Sequence, residues 1–369
     1  MRYTEEDRLN IFMSIAFEGA ARSGLLCEAN NGGAEEFRNR VLEGSAEFGS
    51  GTSAAKKRFV RECASNTYID DFIAMLEKNE IVAVTRSDTL YPPLLANIYD
   101  PPYVLYMRGA GAYKRIEKPV AVIGTRHCSE YGRKVAEMMG EALAENGCTV
   151  ISGLAYGCDS FAHEGAMHAQ NNDYPTAAVL GQGVMTEKHD STSKTMERIL
   201  ERGAVISEYL PRTAATRHSF PMRNRIISGI SNAVLVVEAG RKSGTMITVD
   251  CALEQSRNVF AVPGRITDVL NCGTNEMLRK GMAQPVYSTD DLLCQLGIEP
   301  KTAHKEEKIS ITDPEQKRIY DLLAEGDKSF DTLLEKTGLT LGELSMHLTD
   351  LEFSGLIKQL PGRVYMIDR

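Results

Sequence analysis

The clearest indication of the fold of this chain is the stretch at residues 120–166, VAVIGTRHCSEYGRKVAEMMGEALAENGCTVISGLAYGCDSFAHEGA. A short apolar run at 120–124 ends in Gly-Thr-Arg, and a helical segment leads to a second apolar run that ends in Ser152-Gly153. Near-continuous apolar runs joined by helices are typical of parallel strands that are covered on both faces. Glycine turns at the carboxyl ends of such strands are where open α/β sheets bind ligands, and helix N-termini there favour phosphate. The stretch therefore predicts a βαβα unit that holds a nucleotide or a nucleic-acid backbone.

The same alternation of strand, turn and helix continues to about residue 264. Six strands linked by crossovers predict a doubly wound α/β sheet. Two further strand-like runs, at 81–85 and 104–109, precede the first crossover. The six apolar runs lie at 120–124, 148–152, 176–181, 203–208, 233–239 and 258–264.

Changes of composition along the chain predict four regions. Residues 1–80 show apolar residues at helical spacing and no motif with chemistry, which indicates a small helical domain. Residues 81–297 carry the sheet, and residues 298–314 are polar and aperiodic, as expected of a linker. Residues 315–369 predict three helices and a ribbon that turns at Pro361-Gly362, which is the layout of a winged helix.

The totals indicate an ordinary globular chain of 369 residues, 43% hydrophobic and 25% charged, with a formal net charge of −8. This charge excludes a uniformly basic nucleic-acid binder, so the local distribution of charge decides whether the chain can bind nucleic acid. The eight cysteines form no C-x-x-C pair and have no zinc spacing with histidine, which predicts free thiols and no metal site. Because the N-terminus lacks a signal-peptide pattern and no apolar run approaches the roughly 18 residues of a membrane helix, we expect a cytoplasmic protein.

The segment 212–237 holds four arginines and no acidic residue. His218 and Phe220 lie among these arginines. Aromatic rings stack on unpaired bases while arginines contact phosphates, and this combination is typical of a single-strand site. The alternative is a solvated basic loop, or arginines that serve an acidic partner surface. The four arginines are Arg212, Arg217, Arg223 and Arg225.

The turns after the strands offer further donors. Arg126, just past Gly124, can meet a phosphate with two parallel hydrogen bonds, unless it makes a structural salt bridge. Ser152 can donate its hydroxyl, and Gly153 allows a backbone to approach closely. Asp159 is either part of that turn or a cap on the following helix.

The run 241–245, Arg-Lys-Ser-Gly-Thr, forms a third turn of this kind and opens a helix. Glu238 beside it is either a catalytic carboxylate or the partner of an arginine. No nucleophile–base pair is visible, and the three glycines of G-x-G-x-x-G are missing, so we expect no catalytic residue and no cofactor. Residues 311–369 carry seven cations and eleven carboxylates, a balance of −4 that favours a structural or protein-contact role over DNA binding.

Five motifs, in this order and spacing, resemble the DprA/Smf family of DNA-processing proteins. The resemblance implies an extended Rossmann-like domain that binds single-stranded DNA, forms homodimers and loads the RecA recombinase during natural transformation. It also implies a SAM-like N-terminal domain, a winged-helix-like C-terminal domain and no enzymatic activity. The motifs are GTR (124–126), SGLAYGCDSFAH (152–163), SFPMRNRIISG (219–229), VVEAGRKSGTMIT (236–248) and VFAVPG (259–264).

By motif, the resemblance places Arg126 on a DNA phosphate, the FPMRNR segment in the same pocket, and residues 243–245 at its rim. The segment 184–194 departs from the family, which usually continues there with an Asp and a Tyr-Pro pair. A nucleotide-processing enzyme of the phosphoribohydrolase type is the alternative, but residues 238–248 lack that motif's double glycine and its glutamate. The predicted DNA-binding residues are Gly124, Arg126, Ser152, Gly153, Arg217, Phe220, Arg223, Asn224, Arg225, Lys242, Ser243, Gly244 and Thr245.

Overall fold

The structure is a computed structural model and divides into two compact units, Met1–Lys301 and Thr302–Arg369. Most of the linker expected at 298–314 lies outside the described residues. The described ranges are 3–17, 22–48, 52–186, 192–241, 243–300, 311 and 313–367, without the side chains of 22–32.

The first unit is built on a mostly parallel sheet in the order β1-β2-β6-β5-β4-β3-β7-β8-β9. The strands are β1 Ile81–Thr85, β2 Val104–Arg108, β3 Val120–Ile123, β4 Val150–Ser152, β5 Thr176–Val179, β6 Ala204–Ser207, β7 Ala233–Val236, β8 Asn258–Ala261 and β9 Gln284–Pro285.

All six predicted crossover strands are present as β3 to β8, each inside its apolar run. Neighbours from β6 through β3 to β9 are parallel, while β1 and β2 extend the β6 edge as antiparallel strands. The order reverses at β3, because β4 to β6 lie on one side and β7 to β9 on the other. The carboxyl ends of β3 and β7 therefore form the switch point at which such sheets bind ligands.

Helices cover both faces of this sheet. Glycines set how closely two of them pack: a Cβ at Gly140 would lie 2.3 Å from the carbonyl oxygen of Ala162, and one at Gly165 would lie 1.9 Å from that of Glu137. Within the described ranges, no helix combines the length and the apolar composition that a membrane crossing requires. The helices are α1 Glu5–Ala16, α2 Arg22–Glu43, α3 Ala54–Cys63, α4 Asn66–Lys78, α5 Pro93–Ala96, α6 Glu130–Glu145, α7 Cys158–His168, α8 Ser193–Arg202, α9 Ser219–Ile230, α10 Thr245–Glu254, α11 Cys272–Arg279 and α12 Thr289–Gln295.

The N-terminal helices share one hydrophobic core with the sheet. Phe12 and Ile15 of α1 are fully buried in the same cluster as Tyr106 of β2 and Val205 of β6. The Tyr106 hydroxyl lies 2.6 Å from Ser14 Oγ, so the polar end of this buried ring is satisfied within the interface. This packing places α1 to α4 in the first compact unit.

The second unit has the winged-helix arrangement expected from its sequence. Its core contains Ile319, Leu333 and Leu348, one from each helix. The ribbon turns at Gly362, whose φ of 87° lies in the left-handed region that glycine adopts without strain. The elements are α13 Pro314–Ala324, β10 Lys328–Ser329, α14 Phe330–Thr337, α15 Leu341–Phe353, β11 Ile357–Leu360 and β12 Val364–Ile367, with sheet order β10-β12-β11.

Candidate nucleic-acid interface

An open pocket of about 580 Å³ lies at the switch point of the first unit. Four segments line it: 123–126 after β3, the turn from β4 into α7, the start of α9, and residues 243–248 at the start of α10. Nine of the predicted residues are in the lining. These are Gly124, Arg126, Arg217, Phe220, Arg223, Asn224, Ser243, Gly244 and Thr245.

Two of the arginines form an exposed wall of this pocket. The guanidinium carbon of Arg126 lies 5.8 Å from the centroid of the Phe220 ring, and that side chain is 38% exposed. Arg217, just before α9, is exposed as well. Among the described residues, no carboxylate lies within salt-bridge distance of either guanidinium. Both charges are therefore available to a ligand.

Arg223 instead forms the floor of the pocket and is only 5% exposed. Its Nη1 donates to the carbonyl oxygen of Gly153 at 2.7 Å and also to that of Val179, so it joins the ends of β4 and β5. Burial lowers the pKa of Arg223 to about 10, against the attraction of Asp159, which leaves it protonated at neutral pH. A Cβ at Gly153 would lie 2.6 Å from Nη2. That glycine therefore makes room for Arg223, and Gly153 itself is not part of the lining.

Asp159 is the charge partner of this buried arginine. Its Oδ2 accepts from the backbone N–H of Gly153 at 3.1 Å, in the turn that leads into α7. Burial raises the pKa of Asp159, while Arg223 and the hydrogen bonds of the turn act in the opposite direction. Because Asp159 also lies in the first turn of α7, the N-terminus of that helix already carries a carboxylate.

Besides Gly153, three predicted residues are not placed in the pocket lining by the structure. Ser152 is fully buried and donates its hydroxyl to the carbonyl oxygen of Val122 at 2.6 Å, so this hydroxyl is not available to a ligand. Arg225 pairs with Glu208 at 2.6 Å and with Asp100 at 3.5 Å, which fixes α9 against the end of β6. Arg225 therefore makes a structural salt bridge within the protein, which corrects the expectation that it faces DNA. Lys242 lies outside the described residues.

Glu238, just after β7, occupies the N-terminus of α6. Its two carboxylate oxygens accept from the Ser129 backbone N–H at 2.9 Å and the Ser129 hydroxyl at 2.6 Å. A Cβ at Gly132 would lie 2.2 Å from Oε2, so that glycine makes room for the carboxylate. This is the helix end at which a Rossmann sheet usually binds phosphate. Glu238 is thus neither a pocket carboxylate nor the partner of an arginine, and α6 does not offer the free anion site that its turn suggested.

Helices α9 and α10, whose N-terminal ends also border the pocket, carry no acidic residue in their first turns. At the start of α10, Ser243 Oγ donates to Thr245 Oγ1 at 2.9 Å and accepts from the Thr245 backbone N–H at 3.2 Å. The Cα of Gly244 faces open space, since a Cβ there would contact nothing within 4 Å. The partial positive charge of these helix ends therefore faces the pocket without a carboxylate of their own.

Sequence reasoning missed several residues that line the pocket. Thr125 lies between two predicted residues, and Ile247 and Thr248 lie in the first turn of α10. Thr248 is three residues past Thr245 and therefore on the same face of the helix. This spacing is the signal that was available in the sequence.

The sheet and its switch-point pocket, together with the separate C-terminal unit, define a Rossmann-like protein with a winged-helix domain. The family model for DNA recombination-mediator protein A matches residues 82–297, and the model for the DprA winged helix domain matches residues 299–363. This chain therefore belongs to the DprA/Smf family of DNA-processing proteins.

Relatives of known name agree with this assignment. Protein Smf of Escherichia coli is 33% identical over 302 residues, which is 80% of this chain and 79% of the relative. DNA processing protein A of Streptococcus pneumoniae matches in structure with a TM-score of 0.63 at 29% identity, over 80% of this chain and 99% of that one. The protein from Helicobacter pylori, whose structure describes a single-stranded DNA binding mode, matches with a TM-score of 0.53 at 27% identity, over 59% and 95% of the two chains.

Proposed function

We propose that this chain binds single-stranded DNA in the switch-point pocket and helps to load the RecA recombinase on it, in natural transformation or another recombination process. One observation carries the DNA-binding proposal: two arginines without carboxylate partners among the described residues line the same pocket as a partly exposed phenyl ring, and one of them, Arg126, lies against that ring. A base that is free of its complement can stack on Phe220 while Arg126 contacts the adjoining phosphate. The single-stranded DNA binding mode described for the Helicobacter pylori relative supports the same ligand class.

The wall of the pocket at residues 243–245 and the start of α10 offers groups that can bind further phosphates of the strand. The turn at 243–245 and the start of α10 present hydroxyls and a helix N-terminus, and both favour a phosphate group. Phe220 and Asn224 lie on α9, which Arg223 and Arg225 hold against the sheet from below. The strand would therefore meet a fixed surface, which lowers the entropic cost of binding.

RecA loading and a homodimer extend this proposal. The description of the family as a recombination mediator supports the RecA partner. Ile266 and Val269, in the loop after β8, are 98% and 79% exposed and supply apolar surface for a second copy. Light scattering of the wild type and of an Ile266→Lys, Val269→Lys variant tests this dimer interface. The variant should have the mass of a monomer, and an equal mass for the wild type and the variant contradicts the interface.

The enzyme alternative has less support at this site. Glu238 is held by Ser129, and Asp159 is buried against Arg223 and the turn after β4. Neither carboxylate is positioned as a free general base beside a ligand in the pocket. Base release from adenosine monophosphate, followed by chromatography, tests this alternative, and turnover would revive it.

The test of DNA binding is a salt titration of the full chain by fluorescence anisotropy. A labelled oligo-dT should bind more tightly than a blunt duplex of equal length, because only unpaired bases reach Phe220. The logarithm of affinity should fall with the logarithm of salt by about 0.7 for each phosphate contacted. Equal affinity for duplex and single strand, or binding that does not depend on salt, contradicts the proposal.

A further inference from the structure

Two exposed aromatic rings adjoin the pocket without being part of its lining. Tyr156 is 54% exposed and follows Ala155, while His127 is exposed and follows Arg126. The centroids of the two rings lie 6.4 Å apart with an interplanar angle of 65°. They form one small surface, which we name the Tyr156 ledge, next to the exposed wall at Arg126.

The backbone that carries the ledge is tightly constrained. Leu154 is buried in the core and has a φ of 49°, which is costly for a residue other than glycine. Gly157 has a φ of 91°, and a Cβ there would lie 2.4 Å from the carbonyl oxygen of Thr125 and 2.5 Å from that of Arg126. The turn at 154–157 therefore packs directly on the Arg126 loop. This packing keeps the ledge and the arginine on adjoining backbones.

The chemistry of the ledge differs from that of a packing residue. Because Tyr156 is 54% exposed, about half of its surface lies outside the fold and is available to a partner. A base has such a face whatever its identity, and stacking of bases on aromatic rings alternates with phosphate contacts in single-strand sites. The guanidinium carbon of Arg126 lies 5.8 Å from the centroid of the Phe220 ring, and Arg126 directly precedes His127 in the chain, so it would contact the phosphate between the two stacked bases.

We propose that Tyr156, with His127 beside it, is a second stacking surface that takes the next base or bases of a single strand beyond Arg126. This inference rests on the proposed function, since it extends the same strand out of the pocket. It assigns to the turn after β4 a role in determining how many nucleotides the protein covers. The ligand is any unpaired base, with no sequence preference.

The test compares two lengths of ligand, the single nucleotide thymidine 5′-monophosphate and an oligo-dT of about sixteen nucleotides, which is the upper end of compact single-strand sites. Tyr156→Ala should weaken binding of the long oligonucleotide about tenfold and leave the single nucleotide within twofold, because only the long strand has a further base for the ledge. Tyr156→Phe keeps the ring and should bind both lengths as the wild type does. Tyr99→Ala removes a fully exposed tyrosine elsewhere and is the matched control.

The outcomes separate this inference from the function on which it rests. If Phe220→Ala lowers the affinity for both lengths and Tyr156→Ala lowers neither, the proposed pocket is supported and the proposed ledge is wrong. If neither variant weakens either length, the proposed function itself fails. An equal loss of affinity for both lengths in Tyr156→Ala contradicts the proposal that the ledge extends the binding site beyond Arg126. A photocrosslink from 5-iodouracil in the long strand to the peptide that contains Tyr156 supports it directly, and its absence contradicts it.

Discussion

The exposed wall and the buried floor of the pocket use the same side chain for opposite purposes. On the wall, Arg126 and Arg217 are exposed and have no carboxylate partner among the described residues. Below them, Arg223 joins two strand ends beside Asp159, and Arg225 pairs with Glu208. Three of these four arginines come from a single acid-free segment. The charge of a sequence segment therefore indicates the composition of a site, whereas burial and distant carboxylates decide which of its charges a ligand can use.

The largest effect expected from this comparison concerns stability. Arg223→Ala leaves the carbonyl oxygens of Gly153 and Val179 buried without their donor and removes the positive charge that offsets buried Asp159. Loss of one partner of a buried charged pair costs about 3–5 kcal/mol, and urea unfolding followed by circular dichroism measures it. Arg126→Ala is the control and should stay within about 0.5 kcal/mol of the wild type, because an exposed charge is removed. If the two variants are equally stable, the division into wall and floor is wrong.

The next effect concerns affinity at the wall. Phe220→Ala removes a ring on which a base would stack, and such stacking contributes about 1–3 kcal/mol. We expect the affinity for oligo-dT to fall roughly tenfold in anisotropy titrations. Phe220→Leu retains apolar volume without the ring and should show most of the same loss. Wild-type affinity in both variants would remove Phe220 from the site.

A smaller effect is expected at the helix end that Glu238 occupies. Glu238→Gln replaces a charge-assisted pair of hydrogen bonds to Ser129 with neutral ones, which costs about 1 kcal/mol of unfolding free energy. DNA affinity should remain within twofold, because this carboxylate is not in the pocket lining. A tenfold change of affinity with unaltered stability would instead place Glu238 in the functional site.

The smallest effect is expected from removal of the winged-helix unit. A chain that ends at Lys301 retains the whole first compact unit and loses a region whose charge balance is −4 over 311–369. Its affinity for oligo-dT should match that of the full chain within twofold. A loss of tenfold or more would show that the acidic unit contributes to DNA binding and would weaken the account of the pocket.

The fold could be predicted from the sequence where the signal was local. The crossover strands are continuous apolar runs, so β3 to β8 were identified together with their turns. Strand β9 contains only Gln284 and Pro285, too short to give a pattern. The direction of β2 was equally hidden, since it depends on pairing with β6, about a hundred residues away.

The candidate site was predictable in composition but not in the use of each side chain. Arg225 and Ser152 carry suitable groups, but their partners Asp100 and Val122 are distant in the chain. The same is true of Glu238, which meets Ser129 across 109 positions. Only the folded chain shows which polar groups have already been satisfied by the protein itself.

The most direct test of the central claim is the affinity of Arg126→Ala for oligo-dT, measured over a range of salt beside Arg58→Ala. Arg58 is 84% exposed on α3, away from the pocket lining, so both variants lose one exposed charge. We expect Arg126→Ala to bind oligo-dT about tenfold more weakly than the wild type, because charge-assisted hydrogen bonds to phosphate are the strong ones. The slope of its affinity against salt should be smaller by about 0.7, because one phosphate contact is lost. Arg58→Ala should match the wild type. Equal affinities and slopes for the two variants would contradict the account.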